Sequence, residues 1–296
     1  MIRNFSSVLI VLCLFFSCTA PITINTSESE PVIVIYGCLT NELKNQNIRI
    51  TSSSPFFYEK DNTAIRDAKV KVTSSNGREY TFVNERNGYY ISQRRFSVVP
   101  GMTYRLTVEV DFKKDGKIEL YEAETTTLPI VPVDEIEVKT IDIMGFRHHL
   151  LSVSMQDPVE TENYYLFKFF INDSITNHRI SDFIISNDLM YNGEYVSGAN
   201  ITFFEDGTDP NVIERNREYD NVFMLKPGDR IRLQILNIEE GYYQFISDCM
   251  TEKYGENPFF GGPPSNIFTN ISNGAVGCFT SYCINIKETV VPGERE

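Results

Sequence analysis

Four cysteines beyond the first twenty residues (Cys38, Cys249, Cys278 and Cys283) and three histidines (His148, His149 and His178) are the side chains of this 296-residue sequence best suited to bind metal, form disulfides or move protons. The four thiols allow three disulfide pairings, and an exported chain would permit them. In one continuous strand Cys278 and Cys283 would lie roughly 16 Å apart on opposite faces, too far to bond. A turn at Thr280-Ser281 would bring them together, so the pairing stays open. The spacing lacks the CxxC pairs of a zinc site. His148 and His149 are neighbours in a β-rich stretch, where they point to opposite faces and cannot grip one metal. No GxSxG elbow, HExxH helix or phosphate-cradling GxxxxGK loop is present. Among 40 acidic residues nothing singles out two for glycoside hydrolysis. The oxygen-rich run Glu205 to Asn211 falls short of an EF-hand and reads as a solvated turn. The expectation is a protein without catalytic residue, metal or cofactor.

A further thiol, Cys18, has different chemistry. Arg3 is the only charge before Glu28, and Phe5 to Phe16 form an apolar run between them. As a helix that run reaches roughly 18 Å, short of the ~30 Å of hydrocarbon it would have to cross. A basic start, a short apolar stretch and the small Ser17 form a secretory leader. Because Ser17 directly precedes Cys18, the segment resembles a bacterial lipoprotein signal, in which the thiol receives diacylglycerol and becomes the new N-terminus. Residues 1–17 are therefore expected to be a signal peptide. Residues 18–31, polar and without periodicity, are expected to be a flexible tether. Several acyl chains at one point hold a protein to a bilayer, which one chain alone does only marginally.

Beyond the tether the composition suits a chain with a core: 42% hydrophobic and 23% charged residues, with Phe and Tyr abundant and Trp absent. A formal net charge of -13 removes the basic footprint that nucleic acid requires. From Val32 onward short β-rich runs alternate with turn signals at Asn76-Gly77, Asn87-Gly88 and Asp115-Gly116. In TYRLTVEVD, Tyr104, Leu106, Val108 and Val110 share one face and Arg105, Thr107, Glu109 and Asp111 the other. The Pro-punctuated bridge Leu128 to Val133 marks a boundary, dividing the body into 32–129 and 130–296. In the second part YYLFKFFIN is apolar on both faces, as a central strand covered on each side would be. One helix is signalled near 238–254: Asn237 can cap it, Tyr242, Phe245, Ile246 and Cys249 recur on one side, and Gly255 and Pro258 stop it. CFTSYCINIK reads as one final strand with Cys278, Tyr282, Ile284 and Ile286 facing inward. The fold class is thus mostly β: an N-terminal prealbumin/Ig-like antiparallel sandwich, then a second β-rich domain with one packed helix.

AKVKVTSSNGREYTFVNERNGYYI followed by PGMTYRLTVEV resembles the prealbumin-like or carboxypeptidase-regulatory-like modules of envelope proteins. VIVIYGCLTNE, the sandwich pattern, LKPGDRIRLQILNIEEGYYQFISDC and the Asn257-Pro258-Phe259 to Asn273-Gly274 stretch resemble, over the whole mature chain, the Bacteroidota envelope lipoproteins known as domain of unknown function four-two-four-nine. That resemblance implies a TonB-dependent outer-membrane receptor as a partner rather than a reaction. GCFTSYC departs from it, because two cysteines occupy a stretch that usually has none.

Two aromatic loops are candidate partner- or ligand-binding sites: Phe56, Phe57 and Tyr58 in a Ser-rich stretch, and Phe259 and Phe260 in a Gly/Pro-rich one. The alternative for both is that they plug the ends of their own sandwiches. Together these features predict a non-enzymatic accessory protein, lipid-anchored through Cys18 at the outer membrane, that helps a receptor capture a nutrient. A glycan- or peptide-acting hydrolase and a surface spacer or adhesin are the alternatives.

Overall fold

The computed structural model describes residues 31–53, 63–143, 145–159, 162–216, 223–255 and 267–293. Seven strands come first: β1 (Ile33–Thr40), β2 (Asn47–Ser52), β3 (Lys69–Ser74), β4 (Glu79–Arg86), β5 (Tyr89–Ser92), β6 (Thr103–Val110) and β7 (Glu119–Thr126). Then follow β8 (Val133–Ile143), β9 (Phe146–Gln156), β10 (Tyr164–Ile171), β11 (Ser174–Ile175), β12 (Ile184–Asn187) and β13 (Tyr195–Asp206). A short helix α1 (Pro210–Arg215) precedes β14 (Met224–Leu225) and β15 (Arg230–Ile238); the long helix α2 (Glu240–Gly255) precedes β16 (Val276–Tyr282) and β17 (Ile284–Val290). The protein is mostly β, as the alternation of its sequence requires.

The first seven strands and β16 form one sheet in the order β16-β1-β2-β5-β4-β3-β6-β7. Its apolar alternation is strict: Tyr104, Leu106, Val108 and Val110 of β6 are all buried while Arg105 and Glu109 are exposed. The sheet rolls around that face until its two edge strands meet. There the Ser281 hydroxyl contacts Thr127 Oγ1 at 2.7 Å and Thr125 Oγ1 at 3.2 Å, and Ser281 N–H donates to Thr125 Oγ1 at 2.9 Å. Hydroxyls thus satisfy polar groups along a buried seam that no regular ladder reaches. At the β4–β5 turn Gly88 holds φ +77°, and a Cβ there would meet the Ile50 carbonyl oxygen at 2.3 Å, which explains the glycine of the Asn87-Gly88 signal.

Beyond residue 130 a four-stranded sheet (β14-β13-β9-β8) faces a second sheet of order β11-β10-β15-β17, with β12 also paired to β10. Leu151, Val153 and Phe204 from one sheet and Tyr165, Phe167, Phe169, Leu233 and Ile235 from the other fill the core between them. The opposite face of β10 and β15 presents Leu166, Leu236 and Ile238 to Tyr242, Phe245 and Ile246 of α2. YYLFKFFIN is therefore covered on both sides, and the helix buries the side its periodicity marks.

Two sequence expectations are corrected. CFTSYCINIK is two strands in two sheets: β16 pairs in parallel with β1, from Val34↔Val276 to Thr40↔Tyr282, whereas β17 pairs antiparallel with β15. Between them Cys283 is a junction, held by Asn41, whose Oδ1 accepts from Ile284 N–H at 2.9 Å. Six of the seven β16 residues are buried, on both faces, and Ile286 on β17 is 46% exposed. The first sheet thus draws β16 from beyond residue 130. Asn237 does not cap the helix. It lies in β15 with its Nδ2 donating to Pro129 O at 3.3 Å, and the Tyr242 and Tyr243 amides in the first turn of α2 bond instead to Glu239 O. The Glu239 carboxylate turns back to the first sheet, where it accepts from Thr126 N–H at 2.8 Å and from the Thr125 hydroxyl. Burial pushes this carboxyl above its ordinary range, against those hydrogen bonds.

Candidate functional site

Among the described residues β8 is the edge of the four-stranded sheet and β17 the edge of the other, so each has one long side without a strand partner there. The two run side by side. At one end they are bridged: Asn285 Nδ2 donates to Val131 O at 2.8 Å and Lys287 Nζ to Asp134 O at 3.1 Å. Beyond these bridges lies a cleft of about 880 Å³, lined on one side by six consecutive residues of β8, Glu137 to Asp142, and on the other by Thr289, Val290, Pro292 and Gly293. Six consecutive residues can line a cavity only along the edge of a strand, since a face would contribute alternate ones.

Arg147, His149 and Asp206 complete the lining. β9 brings the first two: strand alternation sends His149 to the cleft and leaves His148 with its Nδ1 on Phe146 O at 2.9 Å and its ring against Phe203. Asp206 closes β13 and is buried. Its Oδ1 accepts from Thr208 N–H at 2.8 Å and Thr208 Oγ1 at 2.6 Å, while Arg147 Nη1 stands 3.5 Å from Oδ2. Burial opposes its charge, but the Thr208 bonds and the neighbouring His149 and Arg147 hold the carboxyl below its ordinary range. His149, 2% exposed, has Nδ1 3.2 Å from Thr140 Oγ1 and Nε2 3.9 Å from Asp206 Oδ1, beyond hydrogen-bond reach. Nε2 is thus a buried ring nitrogen without a hydrogen-bond partner. We assign the proton to Nε2, because the other tautomer would aim a bare lone pair at a carboxylate.

Burial, only partly offset by Asp206, pulls the His149 pKa below its ordinary 6.5. Below that pH the unfolded chain takes up a proton that the folded chain refuses. The stability due to this group is therefore full above pH 6.5 and declines as pH falls towards the folded-state value. Urea titrations between pH 7 and 5 should show a shallower decline for His149→Gln than for the natural chain; parallel curves would rule out the neutral buried ring.

Hydroxyl, imidazole and carboxylate stand in line here as in a nucleophilic triad, but their connections differ. The gap between ring and carboxylate is too long, and Asp206 is committed to Thr208 and Arg147. The arrangement can present donors and acceptors to a bound group. The Glu205 to Asn211 run is more than a solvated turn. Glu205 holds Arg215 and Asn216, Asp206 is buried, and Asp209 caps α1 by accepting from Asn211 N–H at 2.8 Å. Among the described residues no group of three or more His, Cys, Asp and Glu side chains is placed to hold a metal.

Of the residues named from the sequence, the cleft gathers His149 and Asp206. Cys18, Phe56, Phe57, Tyr58, Phe259 and Phe260 lie outside the described residues. Cys38, Cys249, Cys278 and Cys283 are all free thiols, so the disulfide left open by the sequence is not formed. Parallel pairing sets Cys278 opposite Tyr36 and Cys38 opposite Thr280, and the chain turns at Cys283, so neither a single strand nor a tight turn joins Cys278 to Cys283. Burial raises the thiols of Cys278, Cys283 and Cys249, the last to about 11, which leaves them protonated and unreactive at neutral pH. Cys38 and Cys278 border a buried polar knot under α2, where Tyr36 and Tyr242 hydroxyls meet at 2.8 Å and Lys168 Nζ sits 4.5 Å from the Phe183 ring centre. Desolvation lowers the Lys168 pKa, and cation–π contact with Phe183 and Tyr282 substitutes for part of its lost hydration. His178 is exposed. The cleft residues carried weak signals in the sequence: a basic residue before paired histidines in FRHHLL, and an acid closing an aromatic strand in FFEDGTD.

A rolled, mostly antiparallel sheet, a two-sheet sandwich and one packed helix define a mostly β protein. The chain belongs to the family described as Domain of unknown function (DUF4249), which it matches over residues 19–287. No curated protein matches it. Among solved structures, a segment of two fibronectin type III domains from chicken tenascin is similar over 66% of this chain and 86% of that one, at 11% identity and a TM-score of 0.18.

Proposed function

We propose that this chain is a non-enzymatic binding or accessory protein, held to the bacterial outer membrane by acyl chains on Cys18, that acts by contact with a TonB-dependent receptor in nutrient capture. The observation that carries the non-catalytic part is the state of the cleft: Asp206, the carboxylate that would orient His149, is spent on Thr208 and Arg147. The leader ending in Cys18 supports the anchor, and the resemblance to envelope lipoproteins read from the sequence supports a role in the envelope. Among the described residues no helix is long and apolar enough to cross a membrane. Gentle detergent extraction should co-purify a TonB-dependent receptor, and Cys18→Ala should release the chain into the soluble fraction. Unchanged partitioning of that variant would refute the anchor, and a clean preparation without receptor would refute the partnership.

A glycan- or peptide-acting hydrolase is the second reading, favoured by the Thr140–His149 contact. Turnover of a glycan or peptide panel, abolished by Thr140→Ala, would decide for it.

A further inference from the structure

We infer that the cleft between β8 and β17 is a docking site for an extended polypeptide segment of a partner, which adds to the open edge of β8 as a further strand. The inference deepens the reading of this body as one that acts by contact, and it does not depend on the lipid anchor.

The main chain carries the argument. The Ser152 hydroxyl donates to Glu137 O, which places that peptide group on the β9 side of the strand. Alternation then turns the N–H and C=O of Val138, Thr140 and Asp142 towards the cleft, away from β9. Unpaired edges invite another strand, and proteins commonly cover or interrupt them. Among the described residues the edge is covered at its start, where Asn285 and Lys287 cap the Val131 and Asp134 carbonyls. From Glu137 onward the cleft opens beside it. A ladder of alternating donors and acceptors at peptide spacing is matched by another peptide backbone and by no small molecule.

The side chains narrow the occupant. Glu137, Asp142 and Asp206 contribute three carboxylates to the lining against the two cations Lys139 and Arg147, on a chain whose net charge is -13. A segment with basic residues is favoured over an acidic one. Ile141, Val290 and Pro292 supply apolar wall for alternate small hydrophobic residues.

The test uses the full-length chain in detergent and a synthetic peptide of about nine residues alternating Val with Lys and Thr, long enough to span Glu137 to Asp142. Saturable binding is expected, with amide-exchange protection appearing at Val138, Thr140 and Asp142. N-methylation of every second peptide amide should weaken binding at least tenfold, roughly 1.4 kcal/mol or more, and Glu in place of Lys should weaken it several-fold. Thr140→Pro removes one outward N–H at an exposed edge position, which a strand tolerates. It also removes the hydroxyl that contacts His149 Nδ1, so its reference is Thr140→Ala: the two should share a thermal midpoint, and the Pro variant should bind about tenfold more weakly. Absence of binding at roughly millimolar peptide, equal affinity for the methylated peptide, or protection on β17 but not β8 would each overturn the inference. A dimer that Thr140→Pro dissociates would replace the peptide by a second copy of this chain. Because these measurements need neither receptor nor membrane, their failure leaves the proposed accessory role standing, and failure of receptor co-purification leaves strand addition standing.

Discussion

A chain ending after Val133 is expected to remain unfolded, although it contains the seven consecutive strands that resemble an independent sandwich. The reason lies in what the C-terminal residues supply. Ile271, Ala275 and Phe279 belong to the core of the first sheet, and Phe279 is fully buried there. Loss of a buried Phe costs about 3–5 kcal/mol and of a buried Ile about 2–5. Removal of β16 also strips β1 of its parallel partner and leaves the hydroxyls of Thr125 and Thr127 without Ser281 along the seam. These losses are comparable with the ~5–15 kcal/mol that holds an entire domain. Circular dichroism and amide dispersion of the truncated chain would show it. A cooperative thermal transition in that fragment would mean that seven strands suffice.

The second large effect is expected at one glycine. Gly277 sits in β16 at φ +117°, where a Cβ would lie 2.0 Å from the Ile35 carbonyl oxygen and 2.9 Å from the Ile35 carbonyl carbon. The clash is with backbone, so no side chain can swing aside. Gly277→Ala should cost at least about 4 kcal/mol, at the extreme of single substitutions. Gly274→Ala is the control: it has the same chemistry and a positive φ of +72°, but nothing lies within 4 Å of its Cβ. It should cost only the left-handed penalty of about 1–2 kcal/mol. Urea midpoints at a common slope would compare them, and equal losses would refute the parallel register of β1 and β16.

Features set by local pattern were legible in the sequence. β6 alternates as its residues do, β10 is buried on both faces as YYLFKFFIN demands, and α2 packs through Tyr242, Phe245 and Ile246. What escaped depends on distant partners. CFTSYCINIK keeps an unbroken alternation through Cys283, and nothing within it says that Asn41, some 240 residues upstream, will fix the break. Asn237 is as good a cap by type as any, but β15 runs one residue past it to Ile238, and the chain begins the helix from Glu239. The cleft was legible only in fragments. Opposite orientations of His148 and His149 follow from alternation. The meeting of His149 with Asp206 needs the pairing of β9 with β13, which is offset by irregularities between Val196 and Ala199 and between Asn200 and Thr202. The cleft itself exists because two sheet edges lie side by side, and neither strand alone announces that.

The bond between β1 and β16 also sets a timetable. A ribosome or an export channel delivers the chain from its N-terminus, so Val34 emerges long before Val276. The earliest strands must therefore wait with an unfilled edge and an open core while nearly the whole polypeptide follows. Contacts of such sequence separation slow folding and prolong the exposure of apolar surface to aggregation. Newly delivered molecules should thus depend on a holding chaperone until the last turn of the chain arrives to seal the first sheet.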